Sequence, residues 1–129
     1  MNTTKIKIKM LALSPIVLRI GIGLVIMWFG LQQIANPSGW VVYLPEFTKS
    51  LPISQINFVL LNGYFELVFG ALLIAGFYLR IVALLLALHM AGIVFSVGYN
   101  EIGVRDFGIL TALVAIFFHG PSDWSEKEF

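Results

Sequence analysis

Cysteine is absent from the 129-residue sequence. That absence removes disulfides, thiolate metal sites, iron–sulfur clusters and c-type haem attachment together. Any redox chemistry would have to come from a diffusible cofactor or a partner. Charge is scarce as well. Charged residues make up 12% of the chain against 59% hydrophobic ones, which leaves too little polar surface to cover a soluble domain of this size. A net charge of +1 offers no basic face for phosphates and argues against nucleic-acid binding. Histidine is almost missing, with only His89 and His119. The first sits near the middle of an apolar segment and the second at the end of another. A b-type haem needs two histidines at similar depth, so that cofactor is excluded. Glu66 and His89 alone are too few ligands for a metal centre.

What is present is apolar and helical in length. Segments over about 15–34, 55–79, 80–99 and 102–119 each approach the ~20 residues that a helix needs to cross a bilayer core. The chain is expected to be one domain, 1–129, an all-α integral membrane four-helix bundle in the cell membrane (plasma or inner), with membrane lipid around it. Lys5, Lys7 and Lys9 precede the first apolar run, as in a signal peptide. That run is long for a signal peptide, and Gln32-Gln33-Ile34-Ala35-Asn36 lacks a small-x-small cleavage site, so it reads as a retained span. Lys5, Lys7, Lys9, Arg80 and Lys127 fall on one side, and only Lys49 and Arg105 on the other. The positive-inside rule then puts both termini in the cytoplasm.

Local signals divide the segments. Ser14-Pro15 reads as a cap followed by proline in the first turn of helix one, and Asn36-Pro37-Ser38-Gly39 as its end. The stretch 35–54 is the long outer loop. Its Trp40, Tyr43 and Phe47, interleaved with Glu46 and Lys49, suit the headgroup layer. Ser54 can cap helix two, and a very short turn near Gly76 predicts that helices two and three form an antiparallel hairpin. Gly120-Pro121 stops helix four.

Projected at ~100° per residue, each segment carries a stripe of polar and small residues. Helix one has Arg19, Gly23, Gly30 and Gln33, and helix two has Gln55, Asn62, Glu66 and Gly70. Helix three has His89, Gly92 and Ser96, and helix four has Arg105, Gly108, Ala112 and His119. A separate ridge, Ala83, Ala87 and Ala91, reads as a helix–helix contact within the bundle or across a homodimer. Ionisable residues near a membrane-helix centre cost on the order of 3 kcal/mol each, so they usually face the bundle interior. Glu66 and His89 both lie near the midplane. Arg19 enters near the cytoplasmic side with a side chain long enough to reach toward Glu66. Gln33, Gln55, Asn62, Ser96 and Arg105 fall in the outer half. Together they predict a polar cavity opening outward, floored by Glu66, His89 and Arg19, with Arg105 and Asp106 at its entrance.

Each residue also has a purely structural use. Arg19 could snorkel to headgroups, Glu66 could bond a neighbouring helix as a protonated carboxyl, and His89 could serve as a hydrogen-bonder. Arg105 and Asp106 could form an interfacial ion pair, and His119 suits the interface better than a site.

The same residues resemble the DoxX family of small four-helix membrane proteins, related to the thiosulfate:quinone oxidoreductase subunit DoxD. The likeness lies in Leu18-Arg19-Ile20-Gly21-Ile22-Gly23 running to Phe29-Gly30-Leu31-Gln32-Gln33. It continues in Glu66 with the glycine and leucine run after it and Gly76-Phe77-Tyr78-Leu79-Arg80, and in Arg105-Asp106-Phe107-Gly108 with Gly120-Pro121-Ser122-Asp123-Trp124-Ser125. Two features depart from the family: lysine often stands where this chain has Gln33, and Glu126-Lys127 follows Trp124-Ser125. The resemblance implies a membrane oxidoreductase system with a quinone ligand and a partner oxidoreductase subunit. Glu66 and His89 would exchange protons with the ligand, and Arg19, Gln33, Asn62, Ser96, Arg105 and Asp106 would surround it. Inference from family to function is analogy. A small transporter or permeation component would need the same stripe, and a structural or assembly protein could use it only to lock the bundle.

Overall fold

A computed structural model describes residues 2–121. The Asn2 side chain accepts a hydrogen bond from the Lys5 N–H and starts helix α1, Thr3–Ala35. This helix begins well before the expected start at Ser14-Pro15. The residues before Ser14 are good helix formers for the most part, Asn2 supplies the cap, and proline removes only the bond to the Leu11 carbonyl. At 33 residues, α1 is about 50 Å long, well over the ~30 Å of a bilayer core.

Two short 3₁₀ helices, Pro37–Tyr43 and Glu46–Ser50, follow. They pack back onto α1 and α2. The buried Thr48 hydroxyl donates to the Pro45 carbonyl at 2.7 Å and accepts from Gln55 Nε2 at 3.1 Å. Helix α2, Gln55–Ala75, is capped by Ser54, whose hydroxyl accepts from the Asn57 N–H. It stops earlier than expected because Gly76 takes a left-handed conformation, φ 83°, which a side chain disfavours. After this turn come α3, Leu79–Val97, and, past Gly98, α4, Glu101–His119. Asn100 caps α4 by accepting from the Gly103 N–H, and Gly120 ends it. All four helices are long and apolar enough to cross a membrane, and large apolar side chains such as Leu24, Trp28, Leu61, Phe95 and Phe107 cover the outside. The protein is a multi-pass helical membrane protein.

The closest helix contact is between α1 and α2. A Cβ on Gly30 would stand 2.7 Å from the Gly63 carbonyl oxygen, and one on Gly63 would stand 3.0 Å from the Gly30 oxygen. Seven residues along, Gly23 and Gly70 repeat the arrangement, at 3.0 and 3.1 Å from each other's carbonyl oxygens. Two reciprocal glycine pairs therefore fix the antiparallel register of α1 on α2. Lipid offers no hydrophobic drive for helix association, so backbone proximity of this kind supplies the packing. Helix α3 lies against α4 through Ala83 and Ala87, both buried in the core with Leu73, Leu86 and Leu113. The alanine ridge is thus a contact inside the bundle. This core fills the half nearer the chain termini. The half nearer residues 36–54 and the Gly98 turn, here the loop end, encloses a cavity.

Replacement of Gly30 by alanine drives a Cβ into backbone atoms of α2 and should destabilise the fold by about 1–3 kcal/mol. Gly21→Ala, where nothing lies within 4 Å, should be neutral or stabilising by up to ~1 kcal/mol. Melting temperatures in one detergent compare the two, and equal values would contradict the glycine seam.

Candidate functional site

The seam sets the polar centre. Gln33 lies one turn beyond Gly30 and Glu66 one turn beyond Gly63 on antiparallel helices, which offsets them by about 9 Å along the axis. Each side chain leans back toward its own helix N-terminus, and so toward the other. Gln33 Nε2 donates to Glu66 Oε2 at 2.7 Å. Asn62, on the same face of α2, donates from Nδ2 to Gln33 Oε1 at 2.6 Å and more weakly to Glu66 Oε1 at 3.5 Å. From α3, His89 Nε2 meets Glu66 Oε1 at 3.2 Å. The Phe65 ring packs on the His89 ring, 4.7 Å between centroids, and holds its plane. Glu66 is therefore the shared acceptor of three side chains from three helices, and it is buried. A carboxylate in this position without partners would be strongly destabilising.

Above this cluster lies a cavity of about 430 Å³, large enough for a small organic ring. Its floor is Gln33, Asn62, Glu66 and His89, and its walls are mostly apolar, including Phe29, Phe58 and Ile93. The two 3₁₀ helices form part of the wall, the first through Trp40 and Tyr43 and the second through Phe47. Trp40 packs edge-on to Phe29 at 6.1 Å and against Tyr43 at 5.7 Å. Arg105 and Asp106 also line it. Arg105 Nε donates to Asp106 Oδ1 at 3.1 Å, and its guanidinium sits 4.6 Å from the centroid of the Phe29 ring, a cation–π contact. Ser96 lines the cavity, with its hydroxyl donating to the Gly92 carbonyl at 2.8 Å.

Of the eight residues read as site residues, Glu66, His89, Gln33, Asn62, Ser96, Arg105 and Asp106 come together around this space. Arg19 does not. It is fully buried and lines a second, smaller pocket of about 160 Å³ with Ser14, Pro15 and His119. By the α1–α2 register it lies about 12 Å along the axis from Glu66, and side chains on a helix lean toward its N-terminus, which carries Arg19 away from the carboxylate. Gln55 is also absent from the cavity, its amide being used to hold Thr48. On α4 the expected stripe of Arg105, Gly108, Ala112 and His119 is not the packed face. Gly103, Asp106, Ile109, Leu113 and Ile116 are buried, whereas Gly108 and His119 are exposed. Phe29, Phe58 and Phe65 were not read as site residues. Their one signal was proximity in sequence to Gly30, Asn62 and Glu66. Among the described residues, no group of three histidines or carboxylates could hold a metal ion.

The bundle and its cavity define a multi-pass helical membrane protein with a polar-floored cavity at the loop end. A family model for DoxX matches residues 14–98, and the chain belongs to the DoxX family. The match covers α1 from Ser14 through α3, including Gln33, Asn62, Glu66 and His89, and stops before Arg105 and Asp106. The Ser122-Asp123-Trp124-Ser125 stretch lies outside the described residues. No curated protein and no solved structure matches the chain.

Glu66→Leu removes the acceptor shared by Gln33, Asn62 and His89, and leaving the buried Gln33 donor unsatisfied costs about 1–3 kcal/mol. A clearly lower melting temperature is expected. In the Gln33→Leu, Glu66→Leu double variant the losses should be less than additive, since both belong to one network. A Glu66→Leu protein as stable as the parent would show that the cluster is not holding the helices.

Proposed function

We propose that this DoxX-family protein is a membrane subunit that binds a quinone-like or similar amphipathic small molecule in the loop-end cavity. There it supports electron and proton transfer with a partner oxidoreductase. The observation that carries this reading is the Glu66 carboxylate held by Gln33, Asn62 and His89 at the floor of a mostly apolar cavity. An apolar space with a few convergent polar groups is the usual form of a small-molecule site. A carboxylate and an imidazole in contact form a pair that can accept and return protons. A quinone reduced by two electrons takes up two protons. The electrons would come from the partner, and His89 and Glu66 would handle the protons.

The structural reading accounts for the hydrogen bonds but gives no use to the cavity. A conduction path is disfavoured by the packing between the two pockets, where Leu73, Leu86 and Leu113 are completely enclosed. The space is closed below and one-sided. In the proposed orientation the termini face the cytoplasm and the loop end faces outward, by the distribution of lysine and arginine. In that setting the cavity is reached from the outer half of the bilayer.

Glu66→Gln keeps the size and shape of the side chain, and a flipped Gln33 amide can accept from its new N–H donor, but it cannot exchange a proton. It should melt close to the parent temperature, while binding of a quinone analogue weakens about tenfold or more, some 1.4 kcal/mol. Unchanged binding in the folded variant would remove the proton-exchange role. Orientation is checked with single cysteines in the cysteine-free chain. Ser50 and Asn100 are both exposed and suit labelling, unlike the buried Thr48. Both should react with an impermeant maleimide from outside intact cells, and labelling only after lysis would reverse the orientation.

A further inference from the structure

The reading of the cavity as a ligand site leaves open what kind of head group it takes, and the arrangement of charge around it bears on this. The cavity is lined by two carboxylates and two basic side chains, in matched pairs: Glu66 with His89 at 3.2 Å and Asp106 with Arg105 at 3.1 Å. In each pair the acid is the hidden member. The Glu66 and Asp106 side chains are 4% and 7% exposed, against 21% for His89 and 45% for Arg105. The basic groups therefore stand in front, and the carboxylates balance them from behind.

Two consequences follow. A ligand meets hydrogen-bond donors. Arg105 has one of its five N–H groups on Asp106 and retains the others. In the net-neutral Glu66–His89 pair, with a proton held between Glu66 and Nε2, Nδ1 carries the second ring hydrogen and is the donor. Among the described residues the ligand meets no cation lacking a counter-charge, since Arg105 is the only lysine or arginine of these in the lining and already has Asp106. Gln33, beside Glu66, is neutral. Bringing a further negative charge into a low-dielectric space without a free cation is unfavourable. The two donor stations also differ in depth. From the Gly98 turn, His89 lies eight residues back from Val97 and Arg105 four residues on from Glu101, an offset of about 6 Å along the antiparallel helices.

We infer that the cavity selects an uncharged amphipathic molecule bearing acceptor oxygens at two ends of a compact apolar head, one toward His89 and one toward Arg105, and that it discriminates against oxyanions. This rests on the proposed ligand-binding role of the same cavity. It assigns Asp106 the part of a specificity-determining residue, which acts by cancelling the charge of Arg105.

The test uses the full chain in lipid nanodiscs and two probes of nearly equal size. One is 2-methoxy-1,4-naphthoquinone, which is neutral. The other is 2-hydroxy-1,4-naphthoquinone, an anion at neutral pH. The neutral probe should bind at least about tenfold more tightly, a difference of ~1.4 kcal/mol. In Asp106→Asn the guanidinium loses its counter-charge, and the preference should shift by about tenfold or more toward the anion. The wild-type comparison stands by itself if that variant does not fold. Equal or tighter binding of the anion by the wild-type protein overturns the inference while leaving a ligand-binding cavity. Binding of neither probe overturns both this inference and the ligand-binding reading on which it rests.

Discussion

The contact between the backbones of α1 and α2 controls the rest of the molecule. Gly23 against Gly70 and Gly30 against Gly63 leave no room for a Cβ, so the register of the two helices is fixed to the residue. That register puts Gln33 beside Glu66. A shift by one residue would rotate one side chain by ~100° and leave a carboxylate facing an apolar wall. Asn62 and His89 then complete a cluster drawn from three helices. Farther apart, α1 and α2 could not share these hydrogen bonds, and the ionisable residue at the middle of α2 would be a liability in a membrane.

The cavity follows from a division of labour along the bundle axis. Toward the chain termini, Leu73, Leu86 and Leu113 interlock and close the bundle. Toward the loop end, larger and more polar side chains hold the helices around a space. The segment 37–50 contributes aromatic walls and is itself held by the Thr48–Gln55 bond. Acidic groups stay buried while their basic partners line the space. Such a site can offer donors to a ligand without offering a net charge.

Much of this was legible in the sequence. Apolar run lengths gave the spans, and Ser54 and Gly120 gave limits of α2 and α4 to within a few residues. Helical periodicity on α1 and α2 picked out Gly23, Gly30, Gln33, Glu66 and Gly70, all of which face inward. Periodicity failed on α4, where glycine and alanine are as acceptable to lipid as to a helix partner, so Gly108 and Ala112 carried no direction. Arg19 was misplaced because length alone suggests that an arginine can reach across turns, whereas the tilt of the Cα–Cβ bond directs it the other way. Ser14-Pro15 looked like a beginning because proline is frequent there, yet a proline inside a helix whose cap lies far upstream gives the same local sequence. The aromatic loop was harder still. Trp40, Tyr43 and Phe47 suit a headgroup layer by composition, and that they also wall a cavity is visible only in tertiary contact.

What fills the cavity is best measured on protein taken directly from its native membrane, by a structure at a resolution that shows small molecules. Density for an amphipathic molecule is expected at the loop end, with its polar atoms within hydrogen-bonding distance of His89 and Arg105 and its apolar part against Phe29 and Phe58. A cavity filled only by water or by side chains, or a Glu66 carboxylate turned toward lipid, would contradict a ligand site built on the α1–α2 seam.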